Sequence, residues 1–353
     1  MSDKTKIEWA DATWNPIVGC SVVSPGCTNC YAMKLAGTRM KNHPTRQGLT
    51  GESKAGPVWN GQVRFNEKEL LKPLSWRKPR KIFVCAHSDL FQEAVPDEWI
   101  DKVFAIMALC PQHTFQVLTK RPERMREYMQ DEFVTCRWHL AAFMHHQKEF
   151  QAGVRVFGSI SVDEDDEWHV PMPLPNVWLG VSVEDQTRAD ERIPVLLATP
   201  AAKRFVSAEP LLGPVDLSQI VSREGEIFNS LSLEEWAAFP DAPEVKHTPG
   251  AGALIDWVIV GGESGKNARP MHPDWVRSLR DQCKDADVPF FFKQWGEWAP
   301  WDDDNWSLPD GCDDVLAHER ARTIGGVEFL PVGKRSAGAK LDSKEHREFP
   351  DAP

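Results

Sequence analysis

No stretch of this sequence is apolar for long enough to cross a bilayer, and its start lacks the charged-then-apolar pattern of a secretory signal. Those two absences predict an intracellular, cytoplasmic protein with no membrane partner. In that compartment its eight cysteines mean thiols, metal or redox chemistry rather than a disulfide frame. Positive charge is also short: 41 Lys and Arg against 52 Asp and Glu leave a net charge of -11, which excludes a general nucleic-acid coat. The balance varies along the chain. Lys72, Arg77, Lys78, Arg80 and Lys81 cluster, Lys120, Arg121, Arg124 and Arg126 follow, and acidic runs stand at 163–167 and 302–304. A solvated surface is the simplest meaning of such runs, with a local basic face as the sharper one. Low-complexity repeats are lacking too. The 353 residues suffice for one large domain with insertions or two smaller ones.

What is present begins with cysteine. Cys20, Cys27 and Cys30 stand in the spacing C-x6-C-x2-C, and Gly19, Pro25 and Gly26 bend the backbone between them so that three sulfurs can converge. An apolar segment over 12–18 precedes the triplet and a helix over 31–40 follows, so the thiols lie on a loop between a strand and a helix. Three thiolates leave a four-coordinate centre one ligand short. A structural zinc takes four protein ligands, whereas a catalytic metal or a cluster keeps a position open. The other five cysteines, Cys85, Cys110, Cys136, Cys283 and Cys312, are scattered and read as buried thiols.

Beyond the triplet a unit repeats: a short apolar run, one or two polar residues, then a helical segment. The runs cover 81–86, 114–118, 176–181, 203–207, 256–260 and 288–292, with helices over 96–110, 122–129, 186–197 and 273–286 and a further one over 67–76. Continuous apolar strands alternating with helices are what a parallel sheet buried on both faces produces. With the strand before the cysteines there are seven, enough for a partial or complete parallel (β/α) barrel. A doubly wound open sheet looks similar from sequence; the cysteine loop after the first strand favours the barrel, where chemistry collects at the carboxyl ends of strands. The barrel is expected over 1–297, with insertions at about 41–65, 131–175 (a helix over 139–150) and 217–253. Residues 298–353 form an extension holding Trp301 and Trp306, expected to fray from Ser336.

Strand, cysteine triplet and helix followed by further β/α units resembles the radical S-adenosylmethionine (SAM) superfamily. Trp14-Asn15-Pro16, Gly19-Cys20 and Ser24-Pro25-Gly26-Cys27 with Cys30-Tyr31-Ala32 resemble, more closely, an uncharacterised three-Cys-motif family common in bacteriophages. That similarity continues through Ser88-Asp89-Leu90-Phe91, Leu118-Thr119-Lys120-Arg121-Pro122, Gly180 to Glu184, Ser207-Ala208-Glu209-Pro210 and Gly261-Gly262-Glu263-Ser264-Gly265. In the superfamily the usual spacing is C-x3-C-x2-C with an aromatic before the last cysteine; here Asn29 holds that place. The resemblance implies a [4Fe-4S] cluster on Cys20, Cys27 and Cys30, with SAM on the fourth iron. It also implies an electron donor such as a flavodoxin or ferredoxin, and a phage- or prophage-encoded origin. The phage association and the basic cluster suggest a nucleotide or nucleic-acid base as substrate.

Burying the sulfonium and ammonium of SAM needs carboxylate or hydroxyl partners, and Ser88, Asp89, Ser182, Glu184 and Glu209 stand at strand ends where they can supply them. His87, Lys120, Glu263 and Lys293 are the candidates for chemistry. Each has a plainer reading. His87 can complete a zinc site or make an ordinary hydrogen bond; Lys120-Arg121 can hold a phosphate or carboxylate, or simply start a helix; Lys293 can line a pocket or snorkel. Trp298 or Trp301 can stack on a base or pack. Two other functions stay open: a zinc-stabilised binding module without catalysis, and a barrel hydrolase or lyase whose cysteines only brace a loop.

Overall fold

The seven apolar runs become seven parallel strands in the computed structural model, which describes residues 5–145, 156–162, 168–232, 253–301 and 319–351. They are β1 (Ala12–Trp14), β2 (Lys81–Val84), β3 (Thr114–Thr119), β4 (Val177–Ser182), β5 (Lys203–Ala208), β6 (Trp257–Gly261) and β7 (Phe290–Gln294). Their order in the sheet is their order in the chain, each pairing in parallel with the next. A doubly wound sheet reverses direction at a switch point. This one never reverses, so right-handed crossovers carry the connections along one face and the sheet curls into a partial barrel. Among the described residues β1 and β7 share no ladder; of the two barrel forms expected, the open one is observed.

The connections supply α1 (Tyr31–Gly37), α2 (Asp97–Ala108), α3 (Pro122–Met129), α4 (Val134–His145), α5 (Gln186–Leu197) and α6 (Pro273–Asp285). Strand alternation sorts the side chains between two cores. Ile82, Val84, Phe115, Val117, Leu179, Val181, Val206 and Val258 face the helices and join the main core. Their neighbours Phe83, Leu118, Trp178, Phe205, Trp257 and Phe291 join a second core inside the curl, together with Trp9. Burial on both faces is why the strands read as unbroken apolar runs. Along the inner face, side chains turn from apolar to polar toward the carboxyl ends, as in Trp178-Gly180-Ser182 on β4 and Phe205-Ser207 on β5. Gly180 is needed there: a Cβ would stand 2.6 Å from the Phe205 ring.

The two ends of the chain close what the strands leave open. Trp9 packs inside the curl, its ring 4.6 Å from Phe83 and 6.2 Å from Trp257. A tryptophan ring burying roughly 200 Å² at about 25 cal/mol/Å² contributes about 5 kcal/mol before conformational entropy. At the other end the expected fraying from Ser336 is not what the fold shows. His346, Arg347 and Glu348 lie against the edge of β7: Phe292 N–H donates to the His346 carbonyl (3.0 Å), and Phe290 N–H to Glu348 Oε2 (3.0 Å). Phe349 then packs 5.1 Å from Trp257 and 5.3 Å from Phe291. An unpaired edge strand gains its missing partners this way, which a reading of local composition misses.

Smaller corrections have local causes. The first strand expected over 12–18 breaks at Pro16; Ile17–Val18 pairs antiparallel with Arg64–Phe65 instead. The helix over 67–76 splits into Glu67–Leu70 and Lys72–Ser75 around Pro73, which has no N–H to continue it. The helix expected over 139–150 is α4, starting five residues earlier, after Asp131 has taken the Phe133 N–H (2.8 Å). The first insertion carries a hairpin, Thr50–Ser53 with Gly56–Trp59. The acidic run 163–167, most of the insertion 217–253, Trp306 and Cys312 lie outside the described residues. Among those described, no helix is long and apolar enough to cross a membrane.

Candidate functional site

A cavity of about 590 Å³ opens over the carboxyl ends of the strands, and Cys20, Cys27 and Cys30 line it. Their loop is shaped by local chemistry. Gly19 has a φ of 95° and lies so close to the Gln62 carbonyl that no side chain fits. Its carbonyl accepts the Ser88 hydroxyl (2.5 Å), which ties the loop's start to the end of β2. Pro25–Cys27 forms a single 3-10 turn, closed by Cys27 N–H donating to the Ser24 carbonyl (2.9 Å). Cys30 then begins α1 as its N-cap residue.

Between the thiols, the loop is held by strand-end side chains at three points. Ser21 accepts Arg121 Nη2 at its hydroxyl (2.6 Å) and its carbonyl (3.2 Å). Ser24 donates its hydroxyl to Glu184 Oε1 (2.7 Å). Asn29 donates to Glu263 Oε2 (2.9 Å). Arg269 adds a fourth tie, bonding both Glu263 oxygens (3.0 and 2.6 Å) and the Pro25 carbonyl (3.0 Å). Gly26 lets the loop lie this close, since a Cβ there would stand 2.5 Å from Glu184 Oε1. The ends of β3, β4 and β6 thus fix one loop.

The electrostatics follow from burial and pairing. Burial would raise the Glu184 carboxyl, but Lys120 and Arg192 (3.0 Å to Oε2) outweigh it and hold the group below the usual carboxylate range. Glu263 is likewise held low, its burial outweighed by Arg269 and Asn29. The Cys20 thiol is pushed up to about 12, by burial first and then by Asp89; burial also raises Cys30. Both thiols are therefore protonated at neutral pH, and a metal centre would have to displace their protons on binding.

The predicted site residues divide into two groups. His87, Ser88, Asp89, Lys120, Ser182, Glu209, Glu263 and Lys293 line the cavity, and Glu184 does not. Glu209 and Lys293 form an ion pair (2.5 Å) across β6, with Trp9 Nε1 (3.2 Å) and the Ser207 hydroxyl (3.1 Å) on the other Glu209 oxygen. Gly261 leaves room for it: a Cβ there would lie 2.7 Å from Glu209 Oε1. Glu184 is wholly buried, with both oxygens bonded to protein. Asp89 is saturated as well, accepting the Thr119 hydroxyl (2.7 Å), Phe91 N–H (3.0 Å), Lys120 N–H (2.9 Å) and Arg121 Nη1 (2.9 Å). Lys120 and Glu263 are engaged with Glu184 and Arg269.

His87 meets Arg46 Nη2 at its Nδ1 (2.6 Å), and burial followed by the Arg46 charge brings its pKa down to about 4. The ring is neutral, accepts at Nδ1 and carries its proton on Nε2. Sequence reasoning missed Ser21, Ser24, Arg46, Arg192 and Arg269. Their only local signal is that of a polar residue in an apolar or glycine-rich setting. It also left Cys85 among the scattered thiols, whereas Cys85 lines the same cavity at the end of β2, buried, with a φ of 56°. Among the described residues, no three His, Cys, Asp or Glu side chains converge as ligands of a single metal ion.

No curated protein and no solved structure matches the chain. One family model does, and it spans residues 4–350. A partial parallel barrel with a three-thiol loop fixed across its carboxyl mouth is therefore a fold found in the family described as protein of unknown function (DUF5131), to which this chain belongs.

Proposed function

We propose that the protein is a radical SAM-type iron–sulfur enzyme. The observation that carries the reading is three free thiols on one loop, lining a cavity at the carboxyl mouth of a parallel barrel and held at three points between the thiols. The donor set fits a [4Fe-4S] cluster, which takes cysteine thiolates and leaves an iron open when only three are given. When bound, the cluster and SAM together supply a 5′-deoxyadenosyl radical able to take hydrogen from an unactivated carbon. The chain's own tasks are to hold, orient and keep water out. Cys20, Cys27 and Cys30 would bind the irons. Glu209 and Lys293, a matched anion and cation facing the cavity, would receive the charged groups of SAM or substrate, and Ser182 and Ser88 hydroxyls would take neutral polar ones. The fit of the cavity to a nucleoside-sized ligand lies in its volume, well inside the range of small-molecule sites. An electron donor such as a flavodoxin or ferredoxin would reduce the centre, and a nucleotide or nucleic-acid base remains the substrate class we favour.

The other reading, a zinc-stabilised binding module without catalysis, needs ligands that converge on one ion, and among the described residues no three do. Metal analysis after anaerobic purification separates the two. The radical reading expects iron and sulfide in comparable amounts, iron lost in Cys27→Ala but kept in Cys85→Ala, and 5′-deoxyadenosine formed from SAM with dithionite. Stoichiometric zinc without iron would overturn the radical reading.

A further inference from the structure

Arg121 stands at the end of β3 with its side chain only 6% exposed, and all five of its side-chain N–H groups have acceptors. Nε donates to Glu93 Oε1 (3.0 Å), and Nη2 donates to the Ser21 hydroxyl (2.6 Å) and carbonyl (3.2 Å). Nη1 gives one N–H to Asp89 Oδ2 (2.9 Å) and the other to Cys20 Sγ (3.8 Å). Asp89 is itself fixed by Thr119 and two backbone N–H groups. A planar guanidinium pinned on three sides cannot turn its remaining N–H away from the sulfur. Other buried ion pairs at the site, such as Glu184 with Arg192, meet no thiol.

We propose that Arg121 is a positioning residue that sets the reduction potential of the iron–sulfur centre through the N–H it gives to Cys20. The inference rests on the cluster reading above. A cluster gains negative charge on reduction, and hydrogen bonds to its sulfurs stabilise that state, which raises the potential. Asp89 and Glu93 compensate the guanidinium charge, so the directed N–H and the local charge can be varied separately.

The experiment is a redox titration followed by electron paramagnetic resonance on anaerobically reconstituted wild type, Arg121→Gln, Arg121→Lys and Glu93→Gln. Arg121→Gln should keep its iron and move to a more negative midpoint by about one decade in the reduction equilibrium, 59 mV for one electron. Arg121→Lys, which keeps the charge and loses the fork, should fall between it and wild type. Glu93→Gln leaves the guanidinium less compensated and should move the midpoint upward. Wild-type midpoints in Arg121→Gln and Glu93→Gln would overturn the proposal and leave Arg121 a loop brace. Should Arg121→Gln take up no iron, Arg121→Lys decides: a midpoint below wild type supports the proposal and an unchanged midpoint overturns it. A wild type that takes up no iron refutes the cluster reading itself, a result distinct from unshifted midpoints.

Discussion

His87 shows how one buried ring makes stability depend on pH. Its folded pKa of about 4 lies below the unfolded value near 6.5, so the unfolded chain binds the extra proton first. The contribution is complete above about pH 6.5 and declines as pH falls toward the folded value. Between pH 7 and pH 5 the wild type should lose about 2 kcal/mol through this group. Urea unfolding of wild type and His87→Asn at the two pH values checks it, because Glu184 and Glu263, held low, lose their contributions only in more acid solution. An equal pH dependence in the variant would show that the ring titrates freely in the folded state.

At the scale of elements, the loop's rigidity comes from bonds that no local pattern reveals. Ser24 and Glu184 are 160 residues apart in sequence, and Asn29 and Glu263 are 234 apart. The strands were legible because burial on two faces leaves unbroken apolar runs, and the thiols were legible from spacing. Glu184 was legible as a polar strand end, but its role was not: three partners from three segments turn its oxygens away from the cavity. Cys85 was hidden for the same reason, since only the pairing of β1 with β2 brings it beside Cys20. Ser24→Ala removes one hydrogen bond to a charged group, a loss of about 1.5–3 kcal/mol. Amide hydrogen exchange should then quicken at Cys27 and its neighbours while β3 and β4 stay protected. Uniform exchange across loop and strands, unchanged from wild type, would mean that Arg121 and Glu263 hold the loop without it.

For the whole molecule, the open sheet is made into a closed core by segments that are not strands of it. Trp9 fills the curl from one end of the chain, and Phe349 covers Trp257 and Phe291 from the other. Lys81 Nζ lies 3.3 Å over the Phe349 ring, a cation–π contact that orients the tail. Phe349 is only partly buried, so its replacement by Ala should cost about 2 kcal/mol, somewhat less than a fully buried phenylalanine. Chemical denaturation measures this; an unchanged midpoint would mean that the tail rests on the barrel without supporting it. The tail was misread from sequence because glycine and charge dominate its composition, while its docking depends on a few residues spread along it, among them Asp342, His346, Arg347, Glu348 and Phe349.

That arrangement has a consequence for biosynthesis. The ribosome makes Phe349 after all seven strands, yet the aromatic interior stays uncovered until that residue arrives. Chains of this size commonly begin to fold from the amino end during translation, but here the last step of closure must wait until Phe349 has been made and has reached Trp257 and Phe291. Until then the inner faces of β6 and β7 and the edge of β7 are exposed to solvent and to other nascent chains.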